Sequence, residues 1–444
     1  MSKITIETPS EKLGILLVGM GGNNGSTFVA CIEALKQNLT WKTKQGIQKV
    51  DLLGSLYGYG TIDGFPIKDL IPLSDPKNFV ISGWDICGND IQTACYNNSV
   101  LEPDLLAQLD LCTYKPLPSI YDPSFIASNQ TDRANNIKGS PETKWNNFLL
   151  ICSDIQSFKI KNNLTKVVVI WTASTERMSD KEWDTSDSLL DALYHNDPEI
   201  SPSMIFALAS CYNNCVYING SPQNTIQKGL IELANKKGAF VTGEDFKTGQ
   251  TKLKSVLVDY LVSSGIRPLS IVSYNHLGNN DGYNLNEQAQ FKSKETSKSG
   301  VIDDIVRDNK LLFEDRKPDH CVVIKYVEAV GDSKRALDEY YSEIALGGRN
   351  TLVINNTCED SLLAVPIMLD LAIFSDFLSR VKINDRRLHP TLSLLSFYFK
   401  APKVSEKEKV VNAFFPQLYA LKDFIRLCIG LPTPDYVKLD SRLS

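Results

Sequence analysis

What the chain has little of narrows it first. Four histidines in 444 residues (His195, His276, His320 and His389) are too scattered to form a zinc-ligand set. Ten cysteines occur without a Cys-x-x-Cys pair, and the closest two, Cys211 and Cys215, have no histidine at ligand spacing. No metal site is readable, and reduced thiols in a cytoplasmic protein are the expectation. The net charge is −5 with no long basic block, which argues against nucleic-acid binding through phosphate neutralisation. The N-terminus, MSKITIETPSEK, has no apolar signal core, and no apolar run reaches the ~20 residues of a membrane span. No Ser/His/Asp grouping or cysteine with a matched histidine points to covalent catalysis. Internal repeats and low-complexity tracts are also missing.

What is there is a soluble globular composition, 43% apolar and 22% charged, in a chain longer than one ordinary core. Two domains, possibly interleaved, are expected. Leu13-Gly14-Ile15-Leu16-Leu17-Val18 is a short apolar run of buried-strand type, followed by Gly19-Met20-Gly21-Gly22-Asn23-Asn24-Gly25-Ser26-Thr27 and a helical pattern from Phe28 to Leu35. Strand, glycine turn and helix are the context in which small residues let backbone N–H groups approach a pyrophosphate. Gly19 and Gly21 fit the first two fingerprint positions, while Asn24 stands where the third glycine belongs and Gly25 comes next. The acid expected to hold a ribose is Asp85, ending the strand-like run Phe79–Ile86, with Tyr57–Leu73 as an insertion before it. Asp51 is expected to open a strand instead of ending one.

Further buried strands are expected at Val167–Trp171, Cys215–Asn219 and Ala239–Gly243, each followed by small polar residues. Residues 121–147 read as loop and polar helix. From about residue 252 the character shifts to a helix, Leu253–Val262, and a strand, Leu269–Ser273. A turn cluster, Asn279-Asn280-Asp281-Gly282, leads into a charged helix on which Lys294 and Lys298 share one face. Strands at Cys321–Val327 and Thr351–Asn356 follow, then an apolar helix, Ser361–Val381, and a final helix, Val410–Ile429. Four lysines, Lys294, Lys298, Lys325 and Lys400, fall in or beside apolar or turn segments. Buried lysine can polarise a carbonyl, move a proton or grip phosphate, which with a nicotinamide site suits hydride transfer plus enolisation.

Long motifs in order resemble the eukaryotic type of myo-inositol-1-phosphate synthase (inositol-3-phosphate synthase). They are Gly19–Ser26, Asn219–Thr225, Gly243–Lys252, Ser273–Leu285, Phe291–Ser299, Gly331-Asp332-Ser333-Lys334, Leu346-Gly347-Gly348 and Cys358–Ala364, running from about residue 13 to the C-terminus. The resemblance implies an α/β subunit: a Rossmann-type NAD-binding domain, residues 1–251 and 367–444, with a second α/β catalytic and tetramerisation domain, 252–366, inserted before the C-terminal tail. It implies conversion of D-glucose 6-phosphate to an inositol phosphate in a homotetramer. NAD+ would oxidise carbon 5, a proton would leave carbon 6, the enolate would attack the carbon 1 aldehyde, and carbon 5 would be reduced again.

Carried over residue by residue, Lys294 is similar to the group at carbon 5, Lys325 and Lys400 to lysines that hold developing oxyanions, and Lys298 to one gripping phosphate. Asp245 and Asp281 would orient lysines and cofactor. Thr248, Gly249, Gln250, Asn279 and Asn280 would line the substrate and nicotinamide pocket. NAD contacts would fall on Gly21, Gly22, Asn23, Asn24, Asp85, Ser119, Ile120, Gln130 and Arg133. Further ones would be Thr172, Ala173, Thr175, Gly220, Ser221, Asp332, Asp360 and Ser361. Ser174 stands where the family commonly has Asn, and Thr248 where it commonly has Ser; both keep a hydrogen-bonding group, so tuning is expected. Eukaryotic members usually also carry a longer N-terminal extension. Two other readings stay in view: an NAD-dependent dehydrogenase that releases NADH, and a catalytically silent NAD-binding regulator, against which the four lysines argue.

Overall fold

The computed structural model describes residues 3–314, 316–432 and 434. Its larger sheet has six parallel strands, in the order Phe240–Gly243, Val216–Asn219, Val167–Trp171, Leu13–Val18, Phe79–Asp85 and Leu117–Pro118. Every residue of Leu13–Val18 and Val167–Trp171 is buried, as expected of strands covered by helices on both faces. Alternate residues serve opposite layers. Ile15 and Leu17 pack with Phe374 and Phe377, while Leu16 and Val18 pack with Phe206 and Ile155. Strand order reverses between Leu13–Val18 and Val167–Trp171, and ligands of open α/β sheets gather at the carboxyl ends beside such a switch point.

The second sheet has four strands, in the order Asp319–Tyr326, Arg267–Leu277, Ser333–Glu343 and Arg349–Glu359. The first pair is parallel and the other two pairs antiparallel. Ser333–Glu343 alternates strictly, with Lys334, Ala336, Asp338, Tyr340 and Ser342 all turned inward and buried. The helix Gly249–Ser263 carries the chain from the first sheet to the second, and Asp360–Ser379 brings it back. That return helix packs on Asn23–Gln37 in the core of the first unit. By length and composition it is apolar enough to cross a membrane, where no run of that length was expected to be, but it is almost wholly buried inside the protein. Asp370 within it accepts hydrogen bonds from Ser55 Oγ, the backbone N–H groups of Leu56 and Tyr57, and Tyr398 Oη. It thereby pins the segment before the 57–73 insertion to the core.

Several element boundaries move outward from those expected. The strand expected at Leu269–Ser273 runs over Arg267–Leu277, and the one at Thr351–Asn356 over Arg349–Glu359. Polar residues in both are held by ladder bonds that local composition does not reveal. The final helix starts later, at Phe414, and ends at Cys428. Asp51 opens no strand: it lies in the loop after the hairpin Thr40–Thr43/Gly46–Lys49.

Candidate active site

One cleft opens where the two sheets meet, holding about 1470 Å³ of empty space with its open mouth included. Its floor is the glycine turn. Gly19 adopts φ +87°, and a Cβ there would stand 2.5 Å from the Ala173 backbone. The third fingerprint role falls to Gly25, whose Cβ would meet Gly19 O at 2.4 Å, so the displaced glycine still lets the helix close on the turn. Gly22 caps the helix Asn23–Gln37 with no side-chain hydrogen bond, which leaves that N-terminus available to an anion. Asp85 ends its strand as expected and accepts from Gly21 N at 2.8 Å and Cys87 N at 2.9 Å. Burial raises its pKa, opposed by those N–H groups and by Arg133.

Around this floor, Gly22, Asn23, Asn24, Asp85, Ser119, Ile120 and Arg133 line the cleft. So do Thr172, Ala173, Thr175, Gly220 and Ser221 at the carboxyl ends of the strands. Gly21 and Gln130 lie just behind. Gly21 supports Asp85, and Gln130 Oε1 accepts from both Arg133 Nη1 (3.1 Å) and Asn280 Nδ2 (3.0 Å). Asn280 also donates to Ser174 Oγ at 3.3 Å, so serine keeps a partner there. A cradle that Cβ atoms would fill, an uncapped helix end and a carboxylate at a strand end fit a dinucleotide.

Asp332 and Ser361 act from behind the wall. Asp332 accepts from Ser361 N and Oγ (2.8 Å each), Asn279 Nδ2 (3.0 Å) and Asn23 Nδ2 (3.5 Å). One buried carboxylate thus ties the 279–282 cluster to the glycine turn. That cluster is a single helical turn, Asn280–Asn284, capped by Asn279 Oδ1 on Gly282 N. Asp281 accepts from Thr175 Oγ1 at 3.2 Å across the cleft.

The opposite wall carries the lysines. The helix Gln288–Ser299 presents Lys294, Ser297 and Lys298 on one face, as the spacing predicts. Lys294 Nζ and Lys400 Nζ each donate to Asp245 Oδ1 at 2.9 Å, and Ser297 Oγ donates to Oδ2 at 2.8 Å. Asp245 is placed by a left-handed backbone (φ 64°) just past the strand Phe240–Gly243. Lys400 comes from far along the chain because residues 399–401 run against 244–246, with Lys400 N donating to Asp245 O and Ala401 N to Glu244 O. Burial alone would raise the Asp245 pKa, but Lys294 and Lys400 hold it well below the usual carboxylate range. Burial likewise opposes the charge on Lys294, yet Asp245 and Asp281 raise its pKa. Lys400 fares differently: burial pulls it down to about 8 despite Asp245, with Lys294 and Lys334 adding to the fall.

Lys298 is buried and meets no carboxylate among the described residues. Its Nζ donates to Asn275 Oδ1 at 3.0 Å and Gln250 Oε1 at 3.4 Å. Burial, then the ammonium groups of Lys334, Lys400, Lys254 and Lys294, push its pKa well below that of ordinary lysine. Thr248 lines the cleft and caps Gly249–Ser263 without a side-chain bond, so a second bare helix N-terminus points toward these amines. Gly249 and Gln250 stand in its first turn, behind the lining.

Lys325 is a correction. It is exposed on the outer face of Asp319–Tyr326, an edge strand, while Val322 and Ile324 point inward. Val323 and Val327, which share the Lys325 face at strand spacing, are only half-buried. The fourth lysine of the cleft is instead Lys334, buried and 3.5 Å from Asp360 Oδ1. Burial opposes the Asp360 charge, but Lys334 and Lys400 keep its pKa low. Lys334 stood in the motif Gly331-Asp332-Ser333-Lys334, and the inward alternation with Ala336 was the signal that could have found it. Sequence reasoning also missed Asn275 and Glu176. Glu176 lines the cleft with its pKa raised by burial to about 7. Among the described residues no group of three potential metal ligands occurs.

Residues 13–426 match the family profile described as myo-inositol-1-phosphate synthase. The chain is 49% identical to an inositol-3-phosphate synthase of Drosophila melanogaster, over 97% of this chain and 80% of that protein. It is 47% identical to that of Saccharomyces cerevisiae, over 99% and 89%. The crystal structure of an inositol-3-phosphate synthase from Caenorhabditis elegans superposes with a TM-score of 0.95 at 46% identity, covering 100% of this chain and 90% of that one.

Proposed function

The chain belongs to the myo-inositol-1-phosphate synthase family, and from that membership we propose an isomerase that converts D-glucose 6-phosphate to 1D-myo-inositol 3-phosphate, the first step of inositol biosynthesis. NAD is its cofactor, held by the glycine turn, Asp85 and the strand ends from Thr172 to Ser221. When bound, the nicotinamide supplies reversible hydride chemistry at carbon 5. The observation that carries the reading is Asp245 with two lysines on one oxygen, facing that cofactor cradle across the cleft.

The residues divide the work as follows. Two amines on one carboxylate titrate as a unit, with one proton held strongly and one loosely. Lys294 takes the carbon 5 hydroxyl proton as that carbon becomes a carbonyl and hands one of its own protons, through the shared Asp245 oxygen, to the neutral amine of Lys400. The new carbonyl acidifies carbon 6. Loss of a carbon 6 proton leaves an enolate, whose oxygen the Lys400 ammonium stabilises. The enolate carbon attacks the carbon 1 aldehyde, the resulting alkoxide gains a proton in place of the one lost from carbon 6, and carbon 5 is reduced as its hydroxyl proton returns from the Lys294–Lys400 pair. Lys298, Lys334 and the Thr248 helix terminus hold the phosphate, where charge-assisted contacts are strong.

The same reading divides the chain into an NAD-binding part, 1–251 and 367–444, and a catalytic part, 252–366. All four strands of the second sheet fall within the latter, and its last boundary lies inside the helix Asp360–Ser379. A homotetramer built on the second sheet is part of the proposal. The edge strand Arg349–Glu359 has no fully buried residue, and Tyr274, Leu337 and Val353 are exposed on the sheet. A cytoplasmic location fits ten free thiols.

The decisive experiment incubates purified protein with glucose 6-phosphate and a sub-stoichiometric amount of NAD+. Many turnovers to inositol phosphate without accumulating NADH are expected. NADH released in step with substrate consumed would overturn the isomerase in favour of a dehydrogenase.

A further inference from the structure

We propose that Asp338 is a positioning residue for the phosphate contact of Lys298, acting through the amide of Gln250. The inference rests on the reading of Lys298 as a phosphate contact and goes beyond it. Gln250 Nε2 donates to Asp338 Oδ1 at 2.7 Å, and Tyr340 Oη donates to Asp338 Oδ2 at 3.1 Å. Asp338 and Tyr340 are both buried, on the inward face of Ser333–Glu343 that also carries Lys334 four residues earlier. An ionised carboxylate only accepts hydrogen bonds, so Gln250 can present only its N–H to Asp338. Its oxygen is then fixed toward Lys298 Nζ. Asn275 is keyed in the same sense: its Nδ2 donates to Val323 O at 3.1 Å, and its oxygen accepts from Lys298.

The separation by one residue has a purpose. A carboxylate touching Lys298 would form an ion pair that an incoming phosphate must break. Set one amide away, Asp338 orients the amine without neutralising it, and the ligand phosphate becomes its first anionic partner. Asp338 also acts electrostatically on Lys254, which donates to Ser273 Oγ and contacts His320. A role exerted through Lys254 would be independent of Gln250.

The test uses inorganic phosphate as a competitive inhibitor against glucose 6-phosphate, with NAD+ affinity and Tm as controls. Asp338→Asn and Gln250→Met are each expected to raise the phosphate Ki by about 3- to 10-fold, the range of one lost hydrogen bond. NAD+ affinity should hold, KM for glucose 6-phosphate should rise more than kcat falls, and the double variant should be no worse than Gln250→Met alone. Additive effects, or a kcat loss with unchanged phosphate Ki, overturn the proposal. Should Asp338→Asn not fold, an unchanged Ki in Gln250→Met is sufficient to overturn it. Lys298→Met separates the two levels: a raised Ki there with none in Gln250→Met sinks only the positioning role, whereas no change in Lys298→Met sinks the phosphate reading as well.

Discussion

Lys294 and Lys298 stand one turn apart on the same helix and face the same cleft, yet their electrostatic settings are opposite. Lys294 shares the carboxylate of Asp245, and its charge is held in place against burial. Lys298 meets only amide oxygens among the described residues, and burial with four neighbouring ammonium groups pushes its pKa well below that of ordinary lysine. Helix spacing makes the two lysines equivalent; the residues across the cleft do not. An amine with a built-in counter-charge can exchange a proton without moving. An amine without one is at its most stable once an anion has arrived. The pair thus separates proton handling from phosphate binding over one helical turn.

Removing the proton-handling member should have the larger effect. Lys294→Ala is expected to lower kcat by about 10²–10⁴-fold, the usual contribution of a positioned acid–base group. NAD+ affinity, read by calorimetry, should change little, since among the described residues the Lys294 amine hydrogen-bonds to Asp245 and not to the glycine turn. Steady-state rates close to wild type would remove Lys294 from the chemistry.

Lys298→Met should act on binding and, unusually for a site residue, improve stability. Losing a charge-assisted phosphate contact, about 1.5–3 kcal/mol, corresponds to roughly a 10- to 150-fold weaker Kd for glucose 6-phosphate. For stability the sign follows from the depressed pKa. Between the ordinary lysine value of 10.5 and the lower folded value, the unfolded chain binds a proton that the native protein refuses. Wild-type stability at this site is therefore greatest above 10.5 and is lost as pH falls through that window. Methionine removes the penalty, so the Tm advantage of the variant should grow from pH 10 toward neutrality. At Lys294, whose pKa is raised, the contribution is present below 10.5 and lost only as pH rises beyond it, so Lys294→Met should lower Tm at neutral pH. Equal Tm shifts in the two variants would erase the distinction between them.

How much of this was legible in the sequence follows from the range of the forces involved. The parallel sheet was readable because strands buried on both faces become continuous apolar runs, as at Val167–Trp171. Asp85 was readable because a strand end is a local feature. The shared face of Lys294 and Lys298 was readable from spacing alone. The Asp245 contact with Lys400 was not, since a backbone pairing between residues 155 positions apart creates it. Asp332 was assigned to the cofactor but sits behind the wall as a tie between segments, and one dimension of sequence cannot distinguish lining from backing. Asn275 and Asp338 were missed because polar residues on the inward face of a strand read as interruptions until their partners are known.

The smallest expected effect comes from the lysine that sequence placed wrongly, and it tests the same principle of surroundings over local pattern. Lys325 and Lys334 lie on different strands of one sheet, and both alternate with small or apolar residues. Alternation specifies two faces without saying which is the inside. On Asp319–Tyr326 the inward residues are Val322 and Ile324, which leaves Lys325 in solvent at a sheet edge, where lysine discourages unwanted strand pairing. On Ser333–Glu343 the inward set begins with Lys334, which reaches the cleft beside Asp360. Lys334→Ala should therefore raise KM for glucose 6-phosphate by about tenfold or more, as the loss of a charged phosphate contact requires. Lys325→Ala should leave kcat and KM within about twofold and change stability by no more than about 0.5 kcal/mol, the usual range for an exposed substitution. Steady-state kinetics of the two variants side by side decide the assignment. A large loss in Lys325→Ala would return that residue to the site, and normal kinetics in Lys334→Ala would remove the fourth lysine from the cleft's chemistry.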